Sequence, residues 1–99
     1  MMLQLHLQEG FESERVVVSI DDIVHLDDPI VRTKMQIGLA KMVEIDTTKT
    51  SVLIRVELPA RGRSGSISVR PQETPNVGVS VASDGRVLFS VQAEPFGYL

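Results

Sequence analysis

The sequence predicts an all-β fold, an antiparallel β-sandwich of about eight short strands that is immunoglobulin-like in general shape. Apolar and polar residues alternate in five segments, a pattern typical of strands with one buried face. Short polar turns rich in Asp, Gly, Pro and Ser separate the segments at a spacing typical of sandwiches. The same spacing fits a small β-barrel, which is the alternative. The length of 99 residues predicts one domain covering residues 1–99.

The alternation also assigns faces. The five segments are MLQLHLQ, SVLIRVELP, GSISVR, NVGVSVA and RVLFSVQ. In the first, the three leucines are expected to face the core, and His6 on the opposite face is expected to be solvent-exposed.

Two hairpins are expected from turn chemistry. A two-residue loop at Asp21-Asp22 would place Ile20 opposite Ile23, Val18 opposite His25 and Val17 opposite Leu26. A three-residue loop over residues 83–85 would place Val81 opposite Val87 and Val79 opposite Phe89, so that both apolar rows share one face. Gly85 would then take the left-handed position.

The segment from Ile30 to Ile45 has an ambiguous pattern. Its apolar residues fit a helical stripe in part, and Asp28-Pro29 resembles a helix start. They fit period two better, so the segment is predicted to be a strand, bent or bulged near Gly38-Ala40.

Composition narrows the functional classes. The chain has a net charge of −3, which argues against nucleic acid as a partner, and it has no cysteine. Its start has no signal-peptide pattern, and no apolar run is long enough to cross a membrane. We expect a cytoplasmic protein that needs no cofactor.

Four aspartates form a candidate metal site. Calcium prefers several carboxylate oxygens, and Asp21, Asp22, Asp27 and Asp28 lie close together in the chain. The spacing of the twelve-residue calcium loop is absent. Ordinary turn formation at both pairs, with Asp27-Asp28-Pro29 as a second turn, is therefore the preferred interpretation.

Two further segments are candidate partner contacts. Arg61 and Arg63 lie in a glycine-flanked loop that could bind an anion or an acidic partner, although a solvated hairpin loop is the preferred interpretation. The C-terminal residues Phe96, Tyr98 and Leu99 are too apolar for a free tail, so we expect them to dock on their own domain or on a neighbour.

No catalytic constellation accompanies these features, so the protein is not expected to be an enzyme. The sequence favours a binding or structural module that acts through self-association or contacts with a protein partner. The alternative is a domain that binds calcium or another ligand through the Asp21–Asp28 loops.

Overall fold

A computed structural model of the chain describes residues 1–98. It contains eight strands and one 3₁₀ turn at Pro59–Arg61. The strands are β1 (Met2–Leu7), β2 (Glu12–Ile20), β3 (Ile23–Arg32), β4 (Lys41–Asp46), β5 (Val52–Leu58), β6 (Arg63–Val69), β7 (Asn76–Val81) and β8 (Val87–Gln92). The all-β prediction is confirmed.

The strands form two four-stranded sheets that pack face to face as a β-sandwich, not a barrel. The first sheet has the order β4-β1-β7-β8, and the second has the order β3-β2-β5-β6. All neighbours pair in antiparallel fashion except β1 and β7, which are parallel. Each sheet therefore has two edge strands, β4 and β8 in the first and β3 and β6 in the second.

The core lies between the sheets and contains the apolar rows that the alternation predicted, together with residues outside the five segments, such as Val16, Val18 and Ile20 on β2. Leu3, Leu5 and Leu7 on β1 are fully buried. Facing residues on the second sheet, such as Val18 and Ile54, are equally buried. Burial of each such side chain stabilises the fold by roughly 1.5–3 kcal/mol relative to exposure. The period-two pattern thus arises because one face of each strand is buried in the core.

The β7–β8 hairpin has the predicted register. Val81 pairs with Val87, and Val79 pairs with Phe89. The loop closes when the Gly85 amide donates to the Ala82 carbonyl at 2.8 Å, and Gly85 has a φ of 90°. This left-handed conformation carries no steric penalty in glycine.

The β2–β3 hairpin differs from the prediction beyond its tip. Asp21 and Asp22 form the two-residue turn with positive φ, and Ile20 pairs with Ile23. A bulge then shifts the register, so Val18 pairs with Leu26 instead of His25. A bulge adds one unpaired residue to one strand. The prediction assumed that residues at equal distances from the turn pair with each other, and it therefore contained no bulge.

Two further predictions were wrong. Asp27, Asp28 and Pro29 do not form a turn but lie inside β3, where Pro29 is tolerated because β3 is an edge strand.

Residues 30–45 are not one strand, because a turn over residues 35–38 separates β3 from β4. Lys34 accepts hydrogen bonds from the amides of Ile37 and Gly38, and Gly38 has a φ of 67°. Glycine at this position favours reversal of the chain over continuation of the strand.

Candidate interaction site

The C-terminal tail, residues 93–98, docks on the outer face of the first sheet. The Tyr98 hydroxyl lies 2.8 Å from Nδ1 of His6 and accepts a hydrogen bond from Nε2 of Gln8 at 3.1 Å. The Phe96 ring meets the His6 ring edge-on, with 5.0 Å between centroids. The amide Nδ2 of Asn76 donates to the Ala93 carbonyl at 3.2 Å. Phe96 and Tyr98 therefore contact their own domain, while Leu99 lies outside the described residues.

This docking changes the environment of His6, and the expectation that it is exposed was wrong. Its position on β1 does place it on the outer face, but the tail covers that face at His6 and leaves only 3% of the residue exposed. Burial lowers the pKa of His6 from its ordinary value. Alternation along one strand could not predict that the tail, which begins 87 residues later at Ala93, covers His6.

Arg61 is held inside a polar network. Its guanidinium donates to both carboxylate oxygens of Glu14, at 2.7 and 2.6 Å, and to the Gly10 carbonyl at 3.1 Å. The hydrogen bonds to Glu14 raise the pKa of Arg61. Because these donors are already engaged, Arg61 joins the 3₁₀ turn to β2 and is poorly placed to bind a separate anion.

Arg63 has a different environment. It is exposed at the start of β6, and the only hydrogen bond of its side chain in the described chain is to the Asp84 carbonyl at 3.3 Å. The aliphatic part of its side chain covers Gly85. The structure thus does not bring the two arginines together at one anion site.

The four aspartates do not converge either. Asp27 binds Arg15 through both carboxylate oxygens, at 2.9 and 2.8 Å, and Asp28 binds Lys41 at 2.9 Å. Asp21 accepts hydrogen bonds from Lys49 Nζ at 2.8 Å and from the amide of Leu53 at 2.9 Å. These bonds lower the pKa values of Asp21, Asp27 and Asp28. Within residues 1–98 no three metal-ligating side chains form a cluster.

A groove that the sequence did not suggest lies at the end of the sandwich near the β1–β2 connection. It has a volume of about 630 Å³, and its lining includes Phe11, Ser13, Arg32 and Met35. Ser13 has a φ of 58°, a strained conformation for a residue other than glycine. The strain coincides with a bulge between Glu12 and Glu14 that turns the Glu14 side chain toward Arg61. It is therefore explained by the ion pair.

The two open sides of the sandwich differ in charge. On one side, edge strands β3 and β4 carry several charged residues, and Lys41 and Asp28 form an ion pair between them. On the other side, the edge strands β6 and β8 are uncharged over residues 64–69 and 87–92. We call this second side the β6–β8 side. The sequence shows that both segments lack charge. It does not show that they form neighbouring edge strands.

No protein-family model, curated protein or solved structure matches the chain. Function must therefore be inferred from the residues themselves. No helix in the described part of the chain is long and apolar enough to span a membrane.

Proposed function

We propose that the domain is a non-enzymatic interaction module that self-associates by strand pairing on its β6–β8 side. The observation that carries this proposal is the difference in charge between the two open sides. A strand at a sheet edge presents unpaired backbone N–H and C=O groups, which are a template for pairing with another strand. Proteins that stay apart usually block such edges with charges or proline.

The opposite side carries such blocking features. Asp27, Asp28 and Pro29 are consecutive on β3, and Lys41 and Glu44 lie on β4. Pro29 has no backbone N–H, and a charged side chain would lose hydration if another strand paired beside it. The β3–β4 side is therefore unfavourable for strand addition.

The β6–β8 side has none of these features between residues 64 and 69 or between residues 87 and 92. Leu88 and Val91 on β8 are exposed by 44% and 42%. The two edges also approach each other, because Gly65 has no side chain and leaves room for Val87 and Phe89. An incoming strand would thus meet an uncharged and partly apolar surface.

A second copy of the chain fits this surface. In an antiparallel β6–β6 pair with a two-fold axis at Ser66, Ser64 would face Ser68 and Gly65 would face Ile67 of the other copy. Arg63 would face Val69, so no like charges would be directly opposed. Such an interface is self-complementary, as a two-fold dimer requires.

The test is sedimentation equilibrium of the full chain over a range of concentrations. We expect the wild-type chain to form a dimer that dissociates on dilution. Ser66→Lys should raise the dissociation constant at least about tenfold, because two lysines would oppose each other at the axis. Ser51→Lys adds the same charge to an exposed loop outside the edge strands, and it should leave the constant unchanged.

Either of two results would reject self-association by this route. One is a monomer at every concentration, and the other is a dimer that Ser66→Lys does not weaken. In the second case Val24→Lys, which places a charge on an exposed residue of β3, would show whether the opposite side forms the interface.

The alternative function, a domain that binds calcium or another ligand through the Asp21–Asp28 loops, has less support. Three of the four carboxylates already bind a lysine or an arginine of the same chain. A cation would have to displace these partners before it could bind.

A further inference from the structure

His6 occupies an unusual environment for a titratable side chain. It is almost wholly buried, between the outer face of the first sheet and the rings of Phe96 and Tyr98. Nδ1 contacts the Tyr98 hydroxyl, whereas Nε2 has no hydrogen-bond partner among residues 1–98. Buried polar atoms without partners are rare in folded proteins and costly.

The hydrogen bonds around Tyr98 suit a neutral imidazole. The hydroxyl oxygen accepts a hydrogen bond from Gln8, which leaves the hydroxyl hydrogen to be donated to Nδ1 of His6. A second proton would turn Nδ1 into a donor, so the Tyr98 hydroxyl could no longer donate to it and would have to turn its hydrogen away. It would also leave a charged N–H at Nε2 in a buried place without an acceptor, which is strongly unfavourable.

Few charged groups surround His6 to offset that cost. On β4 its cross-strand neighbour is Met42, and the nearest acid on the same face is Glu44, which pairs with Gln4. β7 contributes the uncharged Gly78 opposite His6, and in the tail the one described acid is the exposed Glu94. Desolvation, with no charged partner in the described chain, lowers the pKa of His6.

The tail is attached separately from the core. No residue from 93 to 98 belongs to the buried core cluster, and Phe96 and Tyr98 are only half-buried. Within residues 1–98, the tail makes two ring contacts with His6, and Tyr98 donates to His6 and accepts from Gln8. Its backbone carbonyls accept hydrogen bonds from Asn76 and, next to the tail, from Gln92. The tail can therefore leave while the sandwich stays folded.

We propose that the C-terminal tail is an acid-sensitive latch: protonation of His6 releases Phe96 and Tyr98 from the outer face of the first sheet. Release lets water reach both ring nitrogens, so the open form binds the proton better than the closed form. The latch is independent of the proposed self-association, since it lies on the outer face and not on the sheet edges.

The sign of the pH dependence follows from linkage. Burial lowers the pKa of His6 in the closed form below the ordinary 6.5 that the open form approaches. The closed form is therefore fully favoured above about pH 6.5 and loses its advantage as the pH falls below that value. The ratio of open to closed chains should rise by up to about tenfold for each pH unit below it, until the closed form also protonates.

Tyr98 reports on the latch directly. It is the only tyrosine, and the chain has no tryptophan, so near-ultraviolet circular dichroism is dominated by its ring. Between pH 8 and pH 5 we expect the wild-type signal to decrease as the ring leaves His6. The far-ultraviolet signal should stay constant because the strands remain. His6→Gln should abolish the transition, whereas His25→Gln, at an exposed histidine, should preserve it.

Nuclear magnetic resonance provides a second test that needs no variant. The ring protons of Tyr98 and of His6 should titrate with the same midpoint in the wild-type chain. Two results would overturn the proposal. One is a Tyr98 signal that stays constant while His6 protonates, and the other is a Tyr98 transition that persists in a folded His6→Gln chain.

Discussion

At the scale of single residues, the ion pair between Arg61 and Glu14 shows how an arginine, usually a solvent-exposed residue, can stabilise the fold. The two residues are 47 positions apart, and only 24% of the Arg61 side chain and 8% of the Glu14 side chain are exposed. Two parallel hydrogen bonds between a guanidinium and a carboxylate are among the strongest side-chain contacts. Burial makes the loss of either partner expensive.

We therefore expect Arg61→Ala to lower the free energy of unfolding by about 2 kcal/mol, since the Glu14 carboxylate would remain buried without its partner. Urea unfolding measures this change. The control is Arg55→Ala, which removes an exposed ion pair with Glu57 and should change the free energy by no more than about 0.5 kcal/mol. Equal losses in both variants would contradict a special role for Arg61.

The aspartates give a second prediction at the same scale. Addition of millimolar calcium should leave the thermal unfolding midpoint unchanged, because Asp21, Asp27 and Asp28 are engaged by lysine or arginine. A site that bound calcium only in the folded chain would raise the midpoint by mass action. A saturable rise that Asp28→Asn abolishes would instead support the calcium alternative.

At the scale of secondary-structure elements, edge strand β3 shows why turn residues alone predicted a turn where the chain forms a strand. Asp-Asp-Pro is a common turn sequence, yet on β3 these residues continue a strand. Asp27 and Asp28 are held there by Arg15 on β2 and Lys41 on β4. The same residues place charge on the edge strand β3, and charge at an edge disfavours pairing with another strand.

The connection between β1 and β2 packs closely against β7. Gly10 has a φ of 89°, and a Cβ at this position would overlap the carbonyl oxygen of Val81 on β7. Backbone hydrogen bonds join the connection to β7, from the Val81 amide to the Glu9 carbonyl at 2.8 Å and from the Gln8 amide to the Val79 carbonyl at 2.7 Å. The connection and β7 must therefore stay in contact.

Gly10→Ala should destabilise the fold by about 3 kcal/mol, because it combines backbone strain with a clash against main-chain atoms. Gly62→Ala is the matched control, since Gly62 also has a positive φ of 62° but has open space around it. That control should lose only about 1 kcal/mol. Urea unfolding of both chains separates the clash from the strain, and equal losses would show that the clash is relieved by movement of β7.

At the scale of the whole molecule, two separate surfaces carry the proposals. The β6–β8 side is uncharged over residues 64–69 and 87–92, and the tail covers the outer face of the first sheet around His6. Charge on one edge would affect association without moving Tyr98, and protonation of His6 would move Tyr98 without adding charge to an edge. The two tests can therefore fail or succeed independently.

Parts of the candidate site could be predicted from sequence and parts could not. The apolar character of Phe96 and Tyr98 indicated that the tail docks, since free tails are usually polar. His6 as its docking partner could not be predicted, because it depends on β8 ending two strands away from β1 in the same sheet. The sequence indicated Arg61 as a candidate binding residue. Its contact with Glu14 could not be predicted, because Glu14 lies on β2, 47 positions earlier in the chain.

The sequence by itself determined the class of fold, the core rows of the strands and the register of the β7–β8 hairpin. These features depend on period-two alternation and on turn residues, which act within a few positions of the chain. Only the tertiary structure decided the parallel pairing of β1 with β7, the strand character of residues 27–29 and the burial of His6. Each of these depends on which of several similar apolar faces pack together, and that choice minimises exposed area over the whole molecule, not within any one segment.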